Sequence, residues 1–269
     1  MRILISGGTG FIGSALTRAL ASCGHHVTVL TRGFKNHPKD DGHITFLKCD
    51  PLIPGPWQKT ISGHNIIINL AGLSIFRRWS PKNKREIIRS RILITKNLVD
   101  GLAGPHSREV RFFSASGVGY YGYRKEGLFD ENSPPGREFL SRMAQDWEAT
   151  ACKAKELGTQ VIICRFGQVL GKEGGALPKL TMIANLGMGG TWGTGQQWTS
   201  WIHIKDLVNI FIFLLEHTSV TGNVNFTSPN PVRNYEMMSL IRKYLHKKAI
   251  IPNIPSFLLK LITGEFSST

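Results

Sequence analysis

Cysteine is scarce in this chain: four in 269 residues, at Cys23, Cys49, Cys152 and Cys164, with no spacing that suits a metal. That excludes a disulfide-stapled scaffold, and the four read as reduced packing residues inside strands and helices. Long apolar runs are also missing. The runs at residues 66–71 and 210–215 are too short to cross a bilayer. Met1-Arg2 leads straight into an apolar stretch with no basic leader, so a cytoplasmic protein without a membrane partner is expected. No internal repeat or low-complexity segment is present.

Acidic residues are few as well. Eighteen Asp and Glu against 33 Lys and Arg give a formal charge of +15, which favours anionic partners without choosing among them. One basic stripe can be placed: Lys82, Arg85, Arg89 and Lys96 share a face of a helix opening at Ser80-Pro81, with Ile88, Ile92 and Val99 turned to the core. No recognition motif accompanies it, so it reads as a solvated helix face, and a nucleic-acid partner is not expected. Hydrophobic residues make up 41% of the chain, enough for a folded core.

What the chain does have is a glycine turn in the right setting. An apolar run at residues 3–5 leads into Gly7-Gly8-Thr9-Gly10-Phe11-Ile12-Gly13, after which Ile12, Ala15, Leu16, Ala19 and Leu20 recur at helical spacing. Strand, turn and helix follow in that order. Glycines at 7, 10 and 13 permit positive φ, close ligand approach and close helix packing, and the helix N-terminus suits a pyrophosphate. Gly7, Thr9, Gly10, Phe11 and Ile12 are therefore candidate cofactor-binding residues.

Further strands are expected at residues 26–30, 44–48, 66–68, 110–113 and 160–165, alternating with helices at 81–103 and 139–157. This is an α/β pattern: a Rossmann-type doubly wound parallel sheet over residues 1–170, completed near 198–226, with a small C-terminal substrate lobe over 171–269. At the end of the second strand Arg32 stands where an arginine can pair with a 2′-phosphate, which favours NADP(H) over NAD, with Lys35 as helper. Asp50 can accept a hydrogen bond from an adenine amino group, or simply close a turn. Leu70-Ala71-Gly72 let a cofactor lie close over the fourth strand. The fifth strand opens into Ser114-Ala115-Ser116-Gly117, and Ser116 is the candidate for a hydrogen bond to a substrate carbonyl.

Taken together, the glycine turn, Thr31-Arg32, Asn69 to Gly72, Arg77-Arg78-Trp79, Ser114 to Gly122, Asp146-Trp147-Glu148, Arg165 to Gly171 and Trp201 to Asp206 resemble the extended short-chain dehydrogenases/reductases. The likeness is to their atypical subgroup, the epimerase family proteins. It implies NADP across the carboxyl edge of the sheet, a lobe closing over a carbonyl or sugar-like substrate, and Arg165 among the cofactor-binding positions. Analogy with extended relatives also implies a homodimer through helices near 82–103 and 139–157. The wider superfamily carries a Tyr-x-x-x-Lys pair on the helix after Ser116. Here those positions hold Phe139 and Met143, or Leu140 and Ala144, and neither choice supplies an acid or a cation.

A proton donor would therefore have to come from elsewhere, and Tyr120, Tyr121 and His203 are candidates, Tyr121 first. The missing pair also motivates a non-catalytic alternative: an NADP(H)-sensing regulatory protein, since some relatives are labelled as cell-division inhibitors or plastid-division factors. Resembling proteins continue beyond Thr269, which implies a shortened lobe with apolar surface at residues 257–262.

Overall fold

A computed structural model describes residues 1–33, 42–104, 107–124, 126–192, 194–248 and 251–254. In chain order its elements are β1 (Arg2–Ser6), α1 (Phe11–Ser22), β2 (His26–Thr31), β3 (Ile44–Lys48), β4 (Ile66–Asn69), α2 (Pro81–Leu102), β5 (Arg111–Gly117), α3 (Phe139–Cys152) and β6 (Gln160–Phe166). There follow β7 (Gln168–Gly171), β8 (Gly174–Gly175), α4 (Leu177–Asn185), β9 (Met188–Trp192), β10 (Trp198–Thr199), β11 (Trp201–His203), α5 (Ile204–Glu216), β12 (Gly222–Phe226), β13 (Val232–Arg233), α6 (Asn234–Tyr244) and β14 (Ile251–Ile254). Short 3₁₀ turns occupy Pro56–Gly63 and Val118–Tyr121.

Seven strands form one parallel sheet in the order β12-β6-β5-β4-β1-β2-β3. The chain runs outward from β1 through β2 and β3, then returns to build β4, β5 and β6 on the other side. Its order therefore reverses between β1 and β4, where an open sheet leaves a crevice at the strands' carboxyl ends. Side chains alternate along each strand. Ile3, Ile5, Val27, Val29 and Phe113 meet Leu16 and Leu20 of α1 and Leu207, Phe211 and Leu214 of α5 on one face. Leu4, Leu30, Ile67, Phe112 and Ile163 meet Ile94 and Leu98 of α2 on the other. Continuous apolar strands such as Ile66–Asn69 are what a sheet covered on both faces requires.

The rest of the chain forms small sheets and a separate core. β11 pairs with β7 and β7 with β8, β10 with β13, and β14 with β9. Ala176, Leu180, Ala184, Met237 and Met238 pack α4 against α6. Of the expected sheet-completing region, only β12 joins the main sheet. Of the expected α2 core face, Val99 is buried together with Ile87, Ile94 and Leu98, whereas Ile88 and Ile92 are half-buried. Cys23, expected as a packing residue, is exposed at the end of α1, while Cys164 is buried. Residues 257–262 and Lys35 lie outside the described residues. Among those described, no helix is long and apolar enough to cross a membrane, and no metal-binding cluster occurs.

Candidate functional site

The crevice begins at the turn after β1. Gly7 has φ +75°, and a Cβ there would lie 2.8 Å from the backbone of Leu70 and Ala71 beyond β4. Both conditions require glycine. The Gly10 N–H donates to the Gly7 carbonyl at 3.0 Å, closing the turn so tightly that a Cβ on Gly13 would sit 2.1 Å from the same oxygen. Gly10 then caps α1 with extended backbone, but among the described residues no side chain accepts from the first-turn N–H groups, and no acidic residue stands in that turn. Those donors and the positive end of the helix dipole are thus uncompensated by the protein. Thr9 and Gly10 are exposed, and Phe11 and Ile12 half-buried. The Phe11 ring is packed under the β7–β8 hairpin, where a Cβ on Gly174 would be 2.6 Å from it. Its side chain ties the turn to the hairpin.

Arg32, exposed at the end of β2, makes no hydrogen bond or ion pair among the described residues. Asp50 accepts from the Leu52 N–H at 3.1 Å, so one of its oxygens holds a turn. Ala71 abuts Gly7, and Leu73 is clamped at both backbone groups: its N–H donates to Ser90 Oγ at 3.0 Å and its carbonyl accepts from Arg91 Nη1 at 2.9 Å. Below this strip, Ser6 donates to Asn69, Asn69 donates to Thr95, and Trp147 donates to the same Thr95 oxygen, at 2.7–2.8 Å. The chain of bonds fixes β1 and β4 against α2 and α3.

A second network runs through the expected catalytic residues. Ser116 Oγ donates to Glu148 at 2.6 Å, and Arg165 Nε and Nη2 donate to the two Glu148 oxygens at 2.9 and 2.8 Å. Arg165 Nη1 donates to the Tyr121 hydroxyl at 2.9 Å and to the Glu131 carbonyl, and Tyr121 in turn donates to Asn225 at 2.7 Å. The guanidinium lies 3.6 Å from the Tyr120 ring centre.

Arg165 side-chain exposure is 1% and it donates to Glu148, Tyr121 and Glu131, so within the protein it braces the network. Ser116, its hydrogen given to Glu148, is left an acceptor, the opposite of what a carbonyl needs. Tyr121 both donates and accepts within the protein, and burial raises its pKa above the usual phenol value, so it holds no ready proton. The Tyr120 ring lies beneath Arg165, and its hydroxyl makes no hydrogen bond among the described residues.

His203 differs from these. Its Nδ1 accepts from the Lys205 N–H at 3.3 Å, capping α5, which in the neutral ring places the hydrogen on Nε2. It is half-buried, and the next residue, Ile204, shares the space above Gly171 with Phe11. Glu148, Asn225 and Arg91 were not singled out as site residues from the sequence. A glutamate on the helix after Ser116 facing an arginine at the end of a central strand was the readable signal for the first. The other two depend on contacts distant in sequence.

Strand order, switch point and glycine turn define a Rossmann-type doubly wound α/β protein. The model of the NAD dependent epimerase/dehydratase family matches residues 3–226. The Arabidopsis thaliana epimerase family protein SDR39U1 homolog, chloroplastic, is 40% identical over 98% of this chain and 76% of its own length. Epimerase family protein YfhF of Bacillus subtilis is 35% identical over 99% and 87%. The crystal structure of human epimerase family protein SDR39U1 (isoform 2) with NADPH is 32% identical with a TM-score of 0.81, covering 98% of this chain and 86% of that one. UDP-glucuronic acid 4-epimerase from Bacillus cereus, at 19% identity and TM-score 0.80 over 95% and 86%, shares the fold. The chain belongs to the NAD dependent epimerase/dehydratase family, in its extended short-chain dehydrogenase/reductase, epimerase family protein group.

Proposed function

We propose that this chain binds NADP(H) at the β1–β4 switch point and acts on a small carbonyl or sugar-like molecule in the crevice. One observation carries the reading: the first turn of α1 has no side-chain acceptor among the described residues, directly over a turn that only glycine can make. The N–H groups around Gly10, Phe11 and Ile12, with Thr9, would hold the pyrophosphate, and the unpaired Arg32 would hold a 2′-phosphate. Asp50 would use its second oxygen toward the adenine, and Leu70, Ala71 and Gly72 would form the floor. The human relative solved with NADPH supports the choice of nucleotide.

When bound, the nicotinamide supplies a hydride donor or acceptor. A carbonyl receiving that hydride needs a proton within hydrogen-bond reach; of the three expected candidates, His203 Nε2 and the Tyr120 hydroxyl are left uncommitted among the described residues, and His203 is assigned the role because it caps α5 beside Ile204, which packs with Phe11 of the glycine turn. Ser116 then accepts from a substrate hydroxyl, and Glu148 and Arg165 hold it in that role. The bound protons of Ser116 and Tyr121 favour a second reading, an NADP(H)-sensing protein without turnover.

Following NADPH absorbance across a panel of small aldehydes, ketones and sugar derivatives separates the two. Turnover that falls at least tenfold in His203→Gln, with NADPH binding unchanged, is the expected result. NADPH binding with no turnover on any compound would leave the sensing reading standing. Turnover indifferent to His203→Gln would remove the proton assignment.

A further inference from the structure

β4 and β5 lie side by side with Asn69 opposite Ser114, so the strip that leaves β4 and the turn that leaves β5 border one space at their carboxyl ends. The first turns of α3 reach both borders. On one side, a Cβ on Gly119, three residues after Ser116, would lie 3.2 Å from the Leu140 Cβ. On the other, the Phe139 ring meets the Trp79 ring edge-on at 5.0 Å. Farther along the same helix Glu148 accepts from Ser116. Leu140, Ala144 and Glu148 recur four residues apart and therefore form one row, which is the row that meets the serine strand.

What spans the two borders is apolar. Trp79, Ile87 and Met143 form a buried cluster on which Leu73, Ile75, Ile88, Phe139 and Leu140 pack. Leu73, Ile75, Phe139 and Leu140 are half-buried, each seated on the cluster and each keeping accessible surface. Leu73 follows directly on the Leu70-Ala71-Gly72 floor. The Lys84 ammonium lies over the Phe139 and Trp79 rings at 4.9 and 5.8 Å, a charge already set against their faces. A hydroxylated sugar laid along these four side chains would give up water without gaining a hydrogen bond, which is unfavourable. An alkyl or aryl body gains from the same contact.

Resting on the reading that the crevice takes NADP(H) and a small substrate, we propose that the substrate is an apolar ketone or aldehyde. Its reacting end lies by Ser116, and its alkyl or aryl body lies along Leu140, Phe139 and Leu73. Leu140 is the residue that selects it, because it stands between the serine turn and the rest of the wall. The wall narrows the reading above by setting sugars aside.

The test uses the full chain saturated with NADP+, which has no hydride to give, so that ketones bind without being reduced. Straight-chain methyl ketones of increasing length are titrated by calorimetry, with xylose as the sugar for comparison. Affinity is expected to rise about threefold per added methylene as each leaves water. The longest soluble ketone should bind at least tenfold more tightly than xylose. In Leu140→Asn the rise with chain length should flatten.

Affinity independent of chain length in the parent chain, or xylose bound as tightly as the ketones, would overturn the proposal. A rise left intact by Leu140→Asn would overturn it as well. If Leu140→Asn does not fold, Leu73→Asn takes its place under the same criterion. Failure of the parent chain to bind NADP+ would count against the cofactor reading alone. The ketone series would then be read on the nucleotide-free chain with the same variants.

Discussion

Arg165 shows how fully a strand-end side chain can be held by its neighbours. Position at the end of a central strand put it beside the crevice, yet its exposure is 1% and that of its partner Glu148 is 9%. At that burial the pair survives only because the fork is bidentate and the remaining donors reach Tyr121 and Glu131. Removing one partner strands the other's charge. Arg165→Met should therefore destabilise the fold by about 3–5 kcal/mol, measured by denaturant unfolding, whereas Arg165→Met with Glu148→Gln should recover part of that loss. A double variant no better than the single would show that Glu148 is not the group left uncompensated. Arg91, with its burial and no acidic partner, has its pKa lowered to about 10. Its protonated form in the folded chain is the one that lacks compensation.

At the scale of elements, the parallel strands and their helices were legible because their chemistry is local. Residues 44–48 form β3 as expected, and 66–68, 160–165 and the helix from Pro81 each fall within a residue of the observed ends. Periodicity and the Ser80-Pro81 cap, with Ser80 Oγ accepting from the Asn83 N–H, set those limits. The hairpin β7–β8, helix α4 and strand β9 were not legible. They are short, and the hairpin is built on Gly171, Gly174 and Gly175, whose backbone packs against the Phe11 ring from the far end of the domain. Only the folded chain reveals why those positions are glycine. The partnering of Ser116 with Glu148, and of Tyr121 with Asn225, was hidden for the same reason.

Gly13 is the element-scale test. Gly13→Ala would place a methyl 2.1 Å from the Gly7 carbonyl oxygen, so α1 must withdraw from the turn at a cost of about 1–3 kcal/mol. Thermal unfolding should record that loss, and NADPH affinity should drop at least tenfold because the first-turn donors move with the helix. Unchanged affinity would mean that those donors do not hold the nucleotide.

Across the whole molecule the charge of +15 acquires a distribution. The α2 stripe is an exposed face in which Lys96 pairs with Asp100 at 2.5 Å and Lys82, Arg85 and Arg89 stand in solvent. Arg32, exposed at the end of β2, and the half-buried Arg91 likewise make no ion pair among the described residues.

The central claim is that this crevice is an NADP(H) site whose 2′-phosphate is read by Arg32. Parallel titrations of the chain and of Arg32→Asp with NADPH and with NADH, followed by nicotinamide fluorescence, test it most directly. The account predicts tight NADPH binding by the parent chain, weaker NADH binding, and a shift of preference toward NADH in Arg32→Asp. A folded parent chain that binds neither nucleotide, or an Arg32→Asp chain with unaltered preference, would contradict it.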